Sequence, residues 1–168
     1  MAGITQCGKR LCLLAAMLIT AAPSSAQTIN SVEEFIAAER KTLAESCASV
    51  ELSEGFVQRI NIDGDGREDL LVDYHAAQCD GSSALFCGSA GCDMVIYLGN
   101  AAGGFTLLTG FFGYVIDFDQ PNASPPSFVV ALHGNECGRS GMEPCAIRYR
   151  IEGGKVVEVG EVEPPTAE

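Results

Sequence analysis

The chain has 168 residues and carries 10 Lys and Arg against 22 Asp and Glu, a formal net charge of −12. That length suits one domain, and the acidic balance argues against nucleic acid or an anionic membrane surface as a partner, because both require a basic face. Hydrophobic residues make up 47% and charged residues 19% of the chain, which excludes a compositionally disordered protein.

The first 26 residues are typical of a bacterial secretory signal peptide. Lys9 and Arg10 precede the apolar run 11–19, and small residues end at Ala26, where we place the cleavage site. The run is too short to span a bilayer comfortably. We therefore expect a periplasmic or secreted chain, with no membrane insertion once the signal is removed. Losing its two basic residues leaves 8 basic and 22 acidic residues, a net charge of −14.

One helix is predicted at the start of the exported part. Ser31 followed by Glu34 forms a capping box, and apolar residues recur at helical spacing as far as Leu43. We expect a helix from about Val32 to Ser46, with its apolar stripe packed on a sheet.

The stretch 61–69 carries the clearest chemical signal. Oxygen donors recur along it at the spacing of a calcium loop: the side chains of Asn61, Asp63, Asp65 and Asp69 and the backbone carbonyl of Arg67. Gly66 permits the sharp bend that such a loop needs. Clustered carboxylates repel one another without a cation, which favours a bound ion or raised pKa values. The prediction is one weak Ca²⁺ site, with a Kd of about 0.1–1 mM; the alternative is a polar Asp-Gly hairpin that holds no ion.

This loop resembles the calcium loops of FG-GAP and VCBS-type repeats. The residues that carry the resemblance are Asp63, Asp65, Gly66 and Asp69, followed by the strand 70–72. The match is a short motif, and it implies a Ca²⁺ loop between two strands.

Two departures from known calcium loops are visible. Asn61 stands where the FG-GAP family usually has Asp, which removes a charge and weakens the site. An EF-hand is the competing match, but Val72 stands where its bidentate Glu belongs, and 70–72 reads as a strand rather than a helix.

The exported part also contains a degenerate duplication. A shift of 58 residues places His75 on His133, Cys79 on Cys137 and Cys87 on Cys145. Each half continues with a strand, a Gly-Gly turn and another strand, at 94–98, 103–104 and 105–108 and at 146–151, 153–154 and 155–159. We expect two related units, about 56–110 and 111–162. A strand over 113–119, a surface loop over 120–127 and a loose tail at 164–168 complete the prediction.

Six cysteines remain after the signal, and in an oxidising compartment they predict three disulfides. Zinc is disfavoured because there is no CxxC pair and only two His are present. The duplication favours Cys137–Cys145 with Cys79–Cys87, which leaves Cys47–Cys92. The alternative pairs Cys87 with Cys92 and Cys47 with Cys79.

No motif for catalysis is visible. Gly-x-Ser-x-Gly and HExxH are absent, and the Gly-rich stretch 87–92 lacks the Lys of a phosphate loop. The repeated His75 and His133 suit structural positions at strand ends, bonded to backbone carbonyls. We therefore predict that the chain is not an enzyme and has no cofactor other than Ca²⁺.

The predicted fold is a single mainly β (α+β) domain over 27–163, with antiparallel strands from two units and one N-terminal helix on the sheet. The predicted function is an exported, non-enzymatic calcium-binding module, structural or for interaction with an unknown protein or glycan. The alternative is an acidic inhibitor or binder of a basic enzyme such as a lysozyme, since the net charge attracts a cationic partner.

Overall fold

The structure is a computed structural model and describes residues 28–120 and 125–165. The predicted signal peptide, the middle of the loop 120–127 and the end of the tail lie outside the described residues.

The described chain is mainly β with antiparallel sheets and one α-helix, which confirms the predicted fold class. In chain order the elements are β1 (Thr28–Ile29), α1 (Val32–Leu43), β2 (Val50–Leu52), β3 (Val57–Ile60), β4 (Asp69–Asp73), β5 (Ala77–Cys79), β6 (Cys87–Gly88), β7 (Gly91–Gly99), β8 (Phe105–Gly113), β9 (Val115–Gln120), β10 (Ser127–Leu132), β11 (Cys145–Glu152) and β12 (Lys155–Val162). Short 3₁₀ turns at Tyr74–Ala76 and Gly134–Cys137 follow β4 and β10.

The helix begins where its capping signal places it. The Ser31 hydroxyl accepts a hydrogen bond from the Glu34 amide at 3.1 Å, which satisfies one of the free donors of the first turn. The helix ends at Leu43, three residues before the expected Ser46. The amides of Glu45 and Ser46 bond three residues back, so the chain tightens into turns rather than continuing the helix.

Two of the sheets share one four-stranded arrangement. The first contains the order β8-β7-β4-β3, with β1 added beside β8 and β6 beside β7; the second has the order β12-β11-β10-β9. The shift of 58 residues places Val57, the first residue of β3, on Val115, the first of β9. It likewise places Asp69, the first of β4, on Ser127, the first of β10. The sequence repeat and the strand order therefore coincide.

The first sheet is buried on both faces. Side chains alternate along β4, so Leu71 packs towards the second sheet while Leu70 and Val72 pack towards α1. A strand that is covered on both faces needs apolar residues at every position, which explains why residues 70–72 are all apolar. The pair β2–β5 lies on the helix side, where Arg40 of α1 donates to the carbonyl oxygens of Val50 and Leu52 at 3.2 and 3.5 Å.

Aromatic rings fill the space between the two sheets. Phe128 of β10 lies with its ring centroid 5.8 Å from that of Phe111 and 5.7 Å from that of Tyr149, and its side chain is fully buried. These rings join the two four-stranded units into one core.

The three disulfides follow the alternative pairing. The bonds are Cys47–Cys79, Cys87–Cys92 and Cys137–Cys145. The pairings Cys79–Cys87 and Cys47–Cys92 are wrong. Cys87 stands directly opposite Cys92 in the β6–β7 hairpin, and Cys79 ends β5, which pairs with β2 next to the end of α1. Three disulfides are what an oxidising, extracytoplasmic compartment maintains.

Candidate functional site

The aspartate loop joins β3 to β4. Asn61 and Arg67 are exposed, Asp63 is partly buried and Asp69 is fully buried at the first position of β4. The loop therefore connects two antiparallel strands, as the sequence predicts.

Two aspartates shape the loop by bonding to its own backbone. The carboxylate Oδ1 of Asp63 accepts from the Asp65 amide at 3.0 Å, and Oδ1 of Asp65 accepts from the Arg67 amide at 2.8 Å. These are successive Asx turns, in which a short acidic side chain replaces a backbone acceptor. One oxygen of each carboxylate therefore accepts a hydrogen bond from the backbone of the loop.

Asp69 ties the loop to the neighbouring strand. Its Oδ2 accepts from the amides of Ile62 and Asp63 at 2.6 and 3.3 Å, and its Oδ1 accepts from the amide of Gly99, at the end of β7, at 2.8 Å. Burial raises the pKa of the Asp69 carboxyl, although the three backbone hydrogen bonds oppose that shift. The charge of Asp63 also raises the pKa, so these two carboxylates interact electrostatically.

Arg67 supplies a positive charge to the loop. Its side chain forms an ion pair with Oδ2 of Asp65, and its Nε donates to the Gly99 carbonyl at 3.1 Å. The sequence pattern predicts a role only for the Arg67 carbonyl. The guanidinium lies instead where it neutralises one of the predicted calcium ligands.

The loop is further connected to the helix by charge. Nη1 of Arg59 lies 2.6 Å from Glu68, and Nη2 of the same side chain lies 3.3 Å from Glu33 of α1. All three side chains are largely exposed, so this network contributes little to stability.

The described ranges, 28–120 and 125–165, contain no group of three or more His, Cys, Asp or Glu side chains arranged to hold a metal ion. The loop brings Asp63 and Asp69 near one another, whereas Asp65 is paired with Arg67 and Asn61 is exposed. Metal binding by these five residues stays a prediction.

The two histidines occupy different environments. His75 lies in the 3₁₀ turn after β4, and its Nδ1 is 2.7 Å from Oδ1 of Asp73, so its partner is a carboxylate and not a backbone carbonyl. His133 follows β10, and its ring packs so closely on Gly141 that a Cβ there would lie 2.2 Å from the ring. The repeat in sequence does not make them a pair in space with one role.

An open cavity of about 570 Å³ lies beside His133, away from the aspartate loop. Its lining residues are Ser89, Tyr114, His133, Gly141, Met142 and Pro144. No motif in the sequence predicts this cavity. Four of the six lining residues come from two loops that look like simple turns in the sequence, and the sequence signal is that each of these loops lies between two cysteines.

No helix within the described part of the chain has the length and apolar character needed to cross a bilayer. No protein-family profile, curated protein or solved structure matches this chain. Function must therefore be inferred from the geometry of these two regions.

Proposed function

We propose that the chain is an exported, non-enzymatic module whose loop 61–69 binds one Ca²⁺ weakly. The observation that supports this proposal is the convergence of acids on one short loop, with Asp63 and the buried Asp69 close enough to affect each other electrostatically. Oxygen-rich loops of this kind suit a hard cation.

The Asx turns are compatible with this function. They use Oδ1 of Asp63 and of Asp65, and each carboxylate has a second oxygen that can face a cation. Three backbone donors hold the Asp69 carboxylate in place, so it would present its oxygens to the cation from a fixed position.

Arg67 and Ca²⁺ would compete for Asp65. The guanidinium already neutralises Oδ2 of Asp65, so an incoming cation must displace it. This competition, together with the neutral side chain of Asn61, accounts for an expected Kd of about 0.1–1 mM, in the range of extracellular modules.

Isothermal titration of the mature chain with CaCl₂ tests the proposal directly. We expect the titration to show one site. In thermal unfolding, a Ca²⁺ concentration about twenty times the Kd should increase the free energy of unfolding by about 1.8 kcal/mol and raise the Tm by roughly 5 °C. Asp65→Asn should abolish binding, and Arg67→Ala should tighten it about threefold to tenfold because the competing cation is gone.

Glu158→Gln, an exposed acid on β12 in the other four-stranded unit, is the matched control and should leave the titration unchanged. No heat and no shift in Tm at several millimolar Ca²⁺, for both the wild type and Arg67→Ala, would refute the proposal.

A further inference from the structure

We call an exposed apolar surface the crossover patch and define it by Phe112, Tyr114 and Met142. Tyr114 and Met142 line the cavity beside His133, whereas Phe112 lies against Gly88, next to the lining residue Ser89, and lines a second cavity with Asp93. Phe112 is the penultimate residue of β8, and Tyr114 is the residue between β8 and β9. Their exposed fractions are 43% and 37%, and that of Met142 is 91%. Large apolar side chains grouped at the mouth of a cavity are typical of an interaction site rather than of inert surface.

Two of the three disulfides hold the walls of this cavity. Ser89 lies in the hairpin closed by Cys87–Cys92, and Met142 lies in the loop closed by Cys137–Cys145. Their sequence separations are 5 and 8, so they close short loops, where a disulfide restricts the unfolded chain least. Tyr114 lies between the two loops, and its hydroxyl donates to the Ser89 carbonyl at 2.9 Å. The cross-links therefore fix the geometry of a surface, which reduces the entropy lost on binding.

Acidic side chains border the crossover patch. Asp93 of β7 stands directly opposite Phe112 in the β7–β8 register, and both side chains are exposed. Glu143 lies between Met142 and Pro144, which line the cavity, and is also exposed.

The nearest basic residue in that loop offers no countercharge. Arg139 forms an ion pair with Glu161 of β12, so its charge is already used. With the chain carrying a net charge of −12, the patch and its surroundings attract cations.

From these observations we propose that the crossover patch binds a basic segment of a partner protein. An apolar side chain of the partner enters the cavity between Tyr114 and Met142, and flanking Lys or Arg side chains pair with Asp93 and Glu143. Methionine adapts to apolar side chains of different shape, and a buried apolar anchor with a charged rim is the usual anatomy of a protein interface. This proposal does not rest on calcium binding at the aspartate loop.

The test is a titration of the ¹⁵N-labelled mature chain with three synthetic peptides of equal length, followed by NMR. The first has a central Leu-Phe flanked by Lys and Arg, the second has Ser-Gly at its centre with the same flanks, and the third has Leu-Phe flanked by Glu. We expect saturable binding of the first, at least about tenfold weaker binding of the second and none of the third. The shifted resonances should centre on Phe112, Tyr114 and Met142, both with CaCl₂ and with EDTA.

Substitutions in the patch separate the apolar from the charged contribution to peptide binding. Met142→Ser should weaken the first peptide about tenfold, and Asp93→Asn with Glu143→Gln should weaken it by a similar factor and flatten its salt dependence. Val159→Ser, which changes an apolar residue of β12 that is 48% exposed, and Glu51→Gln with Glu158→Gln are the matched controls and should change nothing.

Three results of the peptide titrations would overturn the proposal. These are the absence of saturable binding at several millimolar peptide, resonance shifts centred elsewhere, and equal binding of the Glu-flanked peptide. Sedimentation of the wild type as a dimer that Met142→Ser makes monomeric would also overturn it, because a second copy of the chain would then be the occupant.

Discussion

The two four-stranded units have the same strand order but different surroundings. The first sheet lies between the helix layer and the second sheet. Within the described residues, the second sheet packs against the first sheet on one face only. Their corresponding strands β4 and β10 each begin with a buried polar residue, Asp69 in one and Ser127 in the other. Asp69 accepts three backbone hydrogen bonds and holds an acidic loop in place. Both units therefore have a buried polar residue at the start of the equivalent strand, but only in the first unit does that residue anchor a charged loop.

The cysteines also differ between the two units. Cys137 and Cys145 pair within the second unit, but the residues that correspond to them, Cys79 and Cys87, pair with Cys47 and Cys92. The extra layer brings Cys47 next to β5, and the added β6 strand brings Cys87 opposite Cys92. Differences in surroundings therefore changed the partners of cysteines at equivalent positions.

The largest effect is expected when the aromatic contact between the two units is removed. Phe128→Ala should reduce the free energy of unfolding by about 3–5 kcal/mol, because Phe128 is fully buried between the sheets and leaves a cavity. Urea denaturation followed by circular dichroism measures the change. Phe118→Ala, at a half-buried position on β9, is the comparison variant and should cost about half as much. A loss below about 1 kcal/mol for Phe128→Ala would show that the sheets do not share a core.

Removing a disulfide should cost more stability when the bond closes a longer stretch of chain, so the bonds of the two units should differ in their effect. Replacing Cys47 and Cys79 by Ser opens a separation of 32 residues and should cost about 3.7 kcal/mol by loop-closure entropy. Replacing Cys137 and Cys145, with a separation of 8, should cost about 2.5 kcal/mol. Guanidinium denaturation of each double variant gives these values, and the reverse ranking would mean that native-state contacts outweigh the unfolded chain.

Substitutions at the buried polar positions of β4 and β10 should differ in how much stability they cost. In Asp69→Asn, losing a charged acceptor for three backbone amides should cost about 1.5–3 kcal/mol, whereas Ser127→Ala should cost less than about 1 kcal/mol. Urea denaturation at pH 7 measures both variants, and equal losses would contradict the special role of Asp69.

The same variant gives a pH dependence. Because burial raises the pKa of Asp69 in the folded state, its titration adds stability that is present below the unfolded pKa of about 3.9 and is lost as the pH rises through the folded pKa. The difference in unfolding free energy between the wild type and Asp69→Asn should therefore increase on acidification from pH 7 towards pH 4. A difference that decreases over this range would mean that the backbone donors lower the pKa of Asp69.

Local patterns in the sequence predicted much of the fold. The cap at Ser31, the strands on either side of the aspartate loop and the Gly-Gly hairpins each depend on neighbouring residues, so they could be read directly. The disulfide partners and the role of the Arg67 side chain depend on which strands meet in space. Gly99 lies 32 residues from Arg67, and no short pattern reveals that contact.

The passage from β8 to β9 needs a single residue, Tyr114, between strands of two different sheets. Proteases cut exposed, flexible segments, and a link this short offers them no such segment. The halves of this protein should therefore resist separation by limited digestion, and expressing either alone would leave a half-core exposed to solvent. Although the chain carries a repeat, we expect its two halves to unfold together.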